Sequence, residues 1–270
     1  MGFLKALFGN SEQTPEEKEK EEKARKFDLF KYDGVKAARI GKFQYAAQCY
    51  RAAMEIKDEP ELHELLATAL INSGEGEAAI EELRGLTELE PENVKLWLRL
   101  AHYCYLEDQY EKMGEATQKA LQLEPENADA LFASAQAAIG LDKLQEAIDH
   151  LTQAISLRED FGDAYLLRGR TYLKMNQLAE AHADADTLLE RVPDHEDVLL
   201  LKANILTAEG KRDDALLIYN KVLEANPFNV EAMRVLNPDG LTDVNTGETT
   251  EDIEQKTKDA YKNTLNPFGF

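Results

Sequence analysis

The chain has 270 residues, of which 43% are hydrophobic and 31% charged, and its net charge of −21 makes it strongly acidic. There is enough apolar material for a folded core, and the acidity argues against nucleic acid as a partner, because phosphate binding requires a basic surface. The two cysteines, Cys49 and Cys104, are expected to be buried thiols rather than a disulfide, which favours a reducing, cytoplasmic compartment.

Residues 1–10, MGFLKALFGN, carry an apolar face at helical spacing. The run is too short for a secretory signal or a membrane-spanning helix, and Ala6 stands where the N-myristoylation pattern requires Ser or Thr. The segment is expected either to dock on the protein itself or to stay disordered, and weak association with a membrane surface is the alternative. The residues of this apolar face are Phe3, Leu4, Leu7 and Phe8.

Residues 11–26 form a highly charged stretch in which acids and bases nearly balance. Thr14, Pro15 and two following glutamates have the pattern of a helix start, since proline suits the first helical position and acids suit the first turn. Residues 1–26 are therefore predicted to be an amphipathic segment followed by a solvated helical linker.

From residue 27 onwards, small residues recur every 34 positions, with a slip of one residue between the first two copies. A small side chain allows one helix to approach its neighbour closely. Seven residues after each small residue stands a Gly, Asp or Asn, which tolerates the left-handed backbone that ends a helix. The spacing predicts repeated pairs of antiparallel helices, A and B, joined by tight turns. The small residues are Gly34, Ala67, Ala101, Ala135, Gly169 and Ala203, and the turn residues are Gly41, Gly74, Asp108, Asp142, Asn176 and Gly210.

Prolines at the end of four copies are predicted to stop helix B, and asparagines two residues later are predicted to cap the next helix A. The prolines are Pro91, Pro125, Pro193 and Pro227, and the asparagines are Asn93, Asn127 and Asn229.

The copy from Val94 to Pro125 resembles the tetratricopeptide repeat family, whose 34-residue pattern W-x2-L-G-x2-Y, A-x3-F, P is matched by Trp97, Leu100, Ala101 and Pro125. The last copy adds Ala215 and Tyr219. This resemblance covers residues 27–236 and implies an all-α, right-handed superhelical α-solenoid of about six helix-turn-helix repeats with a C-terminal capping helix. A solenoid of HEAT type would have a longer period.

Residues 237–270 differ in composition from the repeats. They begin with a polar, threonine-rich linker, continue with a short helix predicted within residues 250–265, and end with the aromatic sequence Asn-Pro-Phe-Gly-Phe. The aromatic tail is either a docking peptide or a frayed terminus.

Motifs for catalysis, metal binding or cofactor binding are not found in the sequence. The resemblance instead implies a non-enzymatic scaffold or co-chaperone-like adaptor, which binds a partner protein or peptide in the concave groove. Two alternatives remain open: a peripheral membrane adaptor anchored by residues 1–10, and a regulatory or carrier subunit of an enzyme complex. The identity of the partner and the oligomeric state are not predicted.

In the family the concave groove is lined by positions 2, 5, 6, 9, 12 and 13 of helix A, and here these positions hold several bases. Lys31, Lys95 and Arg99 fall where carboxylate-clamp members have basic residues, but Val35 and Leu65 replace the clamp asparagines. Lys95 is the only base at position 2, where the other five copies have Asp or Glu. The candidate ligand is therefore an acidic or carboxylate-bearing peptide, with plain solvated charges as the alternative. The predicted site consists of Lys31, Arg39, Lys95, Arg99, His102, Phe132, Arg170 and Lys174.

Overall fold

The computed structural model describes residues 14–236, which form thirteen α-helices and contain no β-strand. The chain divides into two compact units, with the boundary between residues 91 and 92. The first contains α1 (Pro15–Arg39), α2 (Phe43–Met54), α3 (Pro60–Asn72) and α4 (Gly76–Leu89). The second contains α5 (Val94–Leu106), α6 (Tyr110–Leu123), α7 (Ala128–Gly140), α8 (Leu144–Leu157), α9 (Gly162–Lys174), α10 (Leu178–Arg191), α11 (Glu196–Ala208), α12 (Arg212–Ala225) and α13 (Val230–Leu236).

Odd-numbered helices up to α11 are the A helices of six repeats, and even-numbered helices are the B helices. The predicted all-α class and the six helix pairs followed by a closing helix are confirmed. Within each unit, every helix packs on the next one in the chain.

All six predicted turn residues adopt the left-handed backbone. Gly41, Gly74 and Gly210 have φ between 72° and 83°, and Asp108, Asp142 and Asn176 have φ between 54° and 59°. The same pair of hydrogen bonds closes each turn. In the first repeat the amide of Gly41 donates to the carbonyl of Ala38 at 3.0 Å, and that of Lys42 donates to Ala37 at 2.9 Å. These are the two bonds of a Schellman motif, so the A helices all end by one chemical device.

The six small residues of the repeat are all buried, as the spacing predicts. Gly34 shows why the side chain must be small: a Cβ atom placed there would lie 2.5 Å from the ring of the fully buried Tyr50. At Gly169 an added Cβ would lie 2.8 Å from Leu201. Close approach of neighbouring helices therefore depends on these positions.

Prolines and asparagines mark helix boundaries as predicted. Pro125 follows the last residue of α6 by two positions, and the prolines after α4, α10 and α12 have the same spacing. The side chain of Asn127 accepts a hydrogen bond from the amide of Ala130 at 2.9 Å, and that of Asn229 from Ala232 at 2.8 Å. Asn93 occupies the N-cap position of α5.

The predicted helix start at Thr14 is confirmed. Its hydroxyl accepts from the amide of Glu17, and the Glu17 carboxylate accepts from the amide of Thr14, which together form a capping box. The helix continues without a break past residue 26 into the first repeat. The predicted apolar face of residues 3–8, the short helix within residues 250–265 and the aromatic tail lie outside the described residues.

Both cysteines are buried and form no disulfide, Cys49 on α2 and Cys104 on α5, which agrees with their prediction as small core residues.

Candidate functional site

The groove positions of α5 present cationic and aromatic side chains in succession. Lys95 is exposed in the first turn, and Arg99 and His102 follow on the same face and are half-buried. Burial lowers the pKa of His102 below its ordinary value, so its imidazole is neutral at physiological pH. Near the end of the helix, Tyr105 lies with its ring 6.5 Å from that of Tyr110. The helix therefore carries positive charge near its start and an aromatic surface at its end.

A cleft of about 180 Å³ opens beside Tyr105, where α5, α7 and α9 converge within the second unit. Two polar groups, Gln136 and Asp163, and the base Arg170 complete a lining that is mostly apolar. Almost all of the lining residues occupy the positions that line the groove in the family, and Tyr110 on α6 is an exception. The aromatic and aliphatic lining residues are Tyr105, Tyr110, Phe132, Ile139, Leu166 and Leu167.

Core packing fixes the floor and one wall of this cleft. Phe132 is only 2% exposed, and its ring lies 5.0 Å from that of Phe161 in the core. Tyr110 packs over Gly140, where an added Cβ would lie 2.2 Å from the ring, so a side chain at this position would displace the wall. The Tyr110 hydroxyl donates to Asp108 at 2.6 Å. Burial, together with this carboxylate, raises the pKa of Tyr110 and keeps the phenol neutral.

Three of the predicted groove bases form ion pairs with carboxylates. The Lys31 ammonium lies 2.5 Å from Glu61, and the hydrogen bond between them raises the pKa of Lys31. The Arg170 guanidinium lies 2.6 Å from Asp197, and Lys174 lies 2.7 Å from Asp142. Glu61 and Asp197 occupy position 2 of the repeat that follows the repeat of their basic partner. Acids at this groove position thus neutralise bases of the preceding repeat. Internal pairing reduces the predicted excess of positive charge.

The structure brings Phe132 and Arg170 together in the cleft, and it places Lys95, Arg99 and His102 along α5, whose end lines the same cleft. Arg39 is exposed in the last turn of α1. Lys31 and Arg39 belong to the first unit. That Lys31 shares one site with Lys95 and Arg99 stays a prediction.

Sequence reasoning missed most of the cleft because it examined groove positions for charge. Examination of the same positions for apolar residues would have found Tyr105, Ile139, Leu166 and Leu167, which occupy positions 5, 6 and 12. Tyr110 is at the start of a B helix, and only its packing over Gly140 reveals its role.

Residues 14–236 contain neither a metal-binding cluster nor a membrane-spanning helix. No group of three or more His, Cys, Asp or Glu side chains in this part of the chain has the arrangement to hold a metal ion. None of its helices combines the length and apolar character needed to cross a bilayer.

Successive antiparallel helix pairs, closed by left-handed turns and with a cleft on their A helices, define a helical-repeat binding protein. Family profiles described as tetratricopeptide repeat match residues 60–103, 138–205 and 196–229, together about half of the chain. The chain belongs to the tetratricopeptide repeat family, and this membership supports a role as a protein-interaction scaffold.

Solved structures with a similar fold share little sequence with this chain. Pseudomonas aeruginosa pilF has 18% identity and a TM-score of 0.60, and the match covers 79% of this chain and 98% of that one. MamA has 23% identity and a TM-score of 0.55, with 60% and 95% covered. YrrB, described as a tetratricopeptide repeat protein with an unusual peptide-binding site, has 20% identity and a TM-score of 0.54, with 70% and 98% covered. Among curated protein sequences, none matches the chain.

Proposed function

We propose that this chain is a non-enzymatic adaptor that binds an extended segment of a partner protein along the A helices of its second unit. The observation that carries the proposal is the cleft between α5, α7 and α9, whose lining is mostly apolar and lies at groove positions of the repeat. Its volume of about 180 Å³ suits one ring-sized side chain, since cavities of about 150 Å³ accommodate benzene. The partner segment supplies a phenylalanine or leucine as its anchor.

Acidic residues near the anchor are the second element of the proposed ligand. Arg99 precedes Tyr105 on α5 by about 9 Å along the helix axis and Lys95 precedes it by about 15 Å, at 1.5 Å per residue. An extended peptide rises about 3.3 Å per residue, so a carboxylate about three to five residues from the anchor reaches these bases. Charge complementarity of this kind favours association and sets the register.

A protein of similar fold supports a peptide as the ligand, and the two cysteines bear on the cellular location. YrrB is described as having a peptide-binding site on a similar fold. A cytoplasmic location is part of the proposal, because Cys49 and Cys104 are buried thiols that form no disulfide. The membrane-adaptor alternative depends on residues 1–10, which lie outside the described part of the chain.

The test uses fluorescein-labelled peptides that carry one phenylalanine and a pair of glutamates at separations of one to eight residues. Fluorescence anisotropy is expected to give the tightest binding at separations of three to five. Replacement of Lys95 and Arg99 together by Ala should weaken that binding at least fivefold and flatten its salt dependence, since salt screens the attraction between these bases and the glutamates.

The matched control replaces Lys119 and Arg212, two exposed bases on B helices, by Ala. It removes the same charge and should leave affinity close to wild type. Equal binding at every separation, or an equal loss in both double variants, would rule out the proposed register.

A further inference from the structure

A second cleft, of about 580 Å³, opens on another surface of the second unit. It lies between the B helices α6 and α8, and its floor is the A helix α7, on which both pack. None of its lining residues occupies a groove position of the repeat, so it is separate from the site of the proposed function. Its polar lining includes Glu111, Gln118, Ser134, Lys143, Glu146 and His150.

In the next repeat, 34 residues further along, the protein fills the corresponding space with a side chain of its own. Arg168 on α9 takes the place of Ser134, and its guanidinium donates to both carboxylate oxygens of Asp184 at 2.9 and 2.6 Å. It also donates to the hydroxyl of Thr152 on α8 at 3.0 Å. The Tyr172 ring lies 5.9 Å from this guanidinium.

The repeat after that has a lysine at the same position, and this lysine also bonds to the preceding B helix. Lys202 takes the place of Arg168, and its ammonium lies 2.5 Å from Asp186 and 2.9 Å from the Nδ1 atom of His182 on α10. In both repeats the cation of helix A bonds to the preceding B helix, and Arg168 also bonds to the B helix of its own repeat, α10.

In the repeat with the open cleft, both filling side chains are short. Ser134 replaces Arg168 and Ala138 replaces Tyr172, which accounts for the space above α7. Side chains that can accept a hydrogen bond stand where the partners of Arg168 stand, although a histidine replaces the carboxylate. Gln118 corresponds to Thr152, and His150 corresponds to Asp184.

These groups have unused hydrogen-bonding capacity. The Nδ1 atom of His150 is buried and has no hydrogen-bond partner among the described residues, although a buried polar atom is costly without one. Glu111 and Glu146 add negative charge at the rim, and the ammonium of Lys143 lies 4.0 Å from Glu146. The cleft therefore offers hydrogen-bond acceptors and carboxylates to a positively charged side chain that donates hydrogen bonds.

We infer that this cleft binds an arginine side chain of a partner polypeptide, which occupies the place that Arg168 holds in the following repeat. The guanidinium donates to the Oε1 atom of Gln118 and to Nδ1 of His150, and the carboxylates of Glu111 and Glu146 complement its charge. An arginine suits the site better than a lysine, because its planar fork reaches acceptors on two helices at once.

The probe is the peptide acetyl-Gly-Ser-Arg-Ser-Gly-amide, titrated into the ¹⁵N-labelled full chain and followed by NMR chemical shifts. The same peptide with citrulline, which keeps the shape and removes the charge, is the reference ligand. The arginine peptide is expected to shift the amide signals of Gln118, Ser134 and His150 and to bind at least tenfold more tightly than the citrulline peptide. Equal shifts with both peptides would overturn the inference.

Ser134→Arg gives the sharpest variant, because its new side chain should fill the cleft as Arg168 fills the next one. Binding should weaken at least tenfold, while the melting temperature is no lower than that of the control Ser156→Arg, which adds the same charge at an exposed site on α8. Ser156→Arg should bind as wild type does. Undiminished binding by Ser134→Arg contradicts the inference.

Gln118→Ala decides the matter if Ser134→Arg does not fold, because Gln118 is exposed and its truncation leaves the core intact. It should weaken binding several-fold, and unchanged affinity would sink the inference. The Lys95 and Arg99 double variant should bind this peptide normally, so failure of the groove proposal and failure of this one give different results.

Discussion

At the scale of single residues, the backbone conformation of the turns sets the end of every A helix. Gly74 ends α3 with φ of 83°, and apart from its own chain neighbours no atom lies within 4 Å of where its Cβ would be. The position therefore favours glycine over alanine because of its dihedral angle and not because of space. Gly85, in the same unit, is exposed within α4, has ordinary backbone angles and is equally open.

Alanine substitution at these two glycines should have opposite effects. Gly74→Ala is expected to destabilise the protein by about 1 to 2 kcal/mol, the cost of a left-handed backbone at a residue with a Cβ. Gly85→Ala should stabilise it by about 1 kcal/mol, since alanine is the better helix former. Urea unfolding followed by circular dichroism measures both changes. Two changes of the same sign would show that the dihedral angle is not the cause.

Turn residues and helix caps could be predicted from sequence because their chemistry is local. Asp108, Asp142 and Asn176 stand where other copies have glycine, and these residue types tolerate the left-handed region. The ion pairs of Lys31 and Arg170 could not be predicted in this way, since each joins consecutive repeats and depends on the geometry between them.

At the scale of helices, Arg168 joins α8, α9 and α10 through side-chain bonds. Its side chain is 14% exposed, and that of Asp184 is 4% exposed. A carboxylate buried to this degree is costly once its partner is removed, because water cannot replace the lost bonds. The pair therefore fixes how these helices pack, whatever its net contribution to stability.

Removal of only one partner should be more damaging than replacement of both. Arg168→Ala is expected to lower the free energy of unfolding by about 3 kcal/mol, because Asp184 remains buried without its cation. Replacement of Arg168 by Met and Asp184 by Leu together should restore most of that loss. Differential scanning calorimetry and urea titration provide the measurement.

Lys221→Ala is the control for this cycle, because Lys221 pairs with Asp194 at 2.7 Å on the exposed surface. It should change stability by less than about 1 kcal/mol. If Arg168→Ala proves as mild as this control, the Arg168–Asp184 pair does not hold the three helices together.

At the scale of the whole molecule, the repeated pattern determines the fold, and the clefts form where individual copies depart from that pattern. The six helix pairs follow from a period that is visible in the sequence. The cleft on α7 depends on Ser134 and Ala138 being small where Arg168 and Tyr172 are large, and the cleft beside Tyr105 depends on side chains from three repeats. The period shows which residue types the copies of the repeat have in common. The differences between copies reveal a cleft only when the packing shows which side chains are neighbours.

The two compact units differ in the number of repeats, and this difference predicts different stability in isolation. A single repeat cannot bury its apolar face alone, so repeat proteins need about three or more stacked copies. Residues 92–236 contain four helix pairs and the closing helix α13, whereas residues 14–91 contain two pairs. Expressed separately, the fragment 92–236 is expected to be helical and to melt cooperatively in circular dichroism, while the fragment 14–91 should show weak helicity and a broad melt. A cooperative melt of fragment 14–91 at the temperature of the full chain would mean that two repeats suffice here, and that local packing such as Tyr50 against Gly34 outweighs the number of copies.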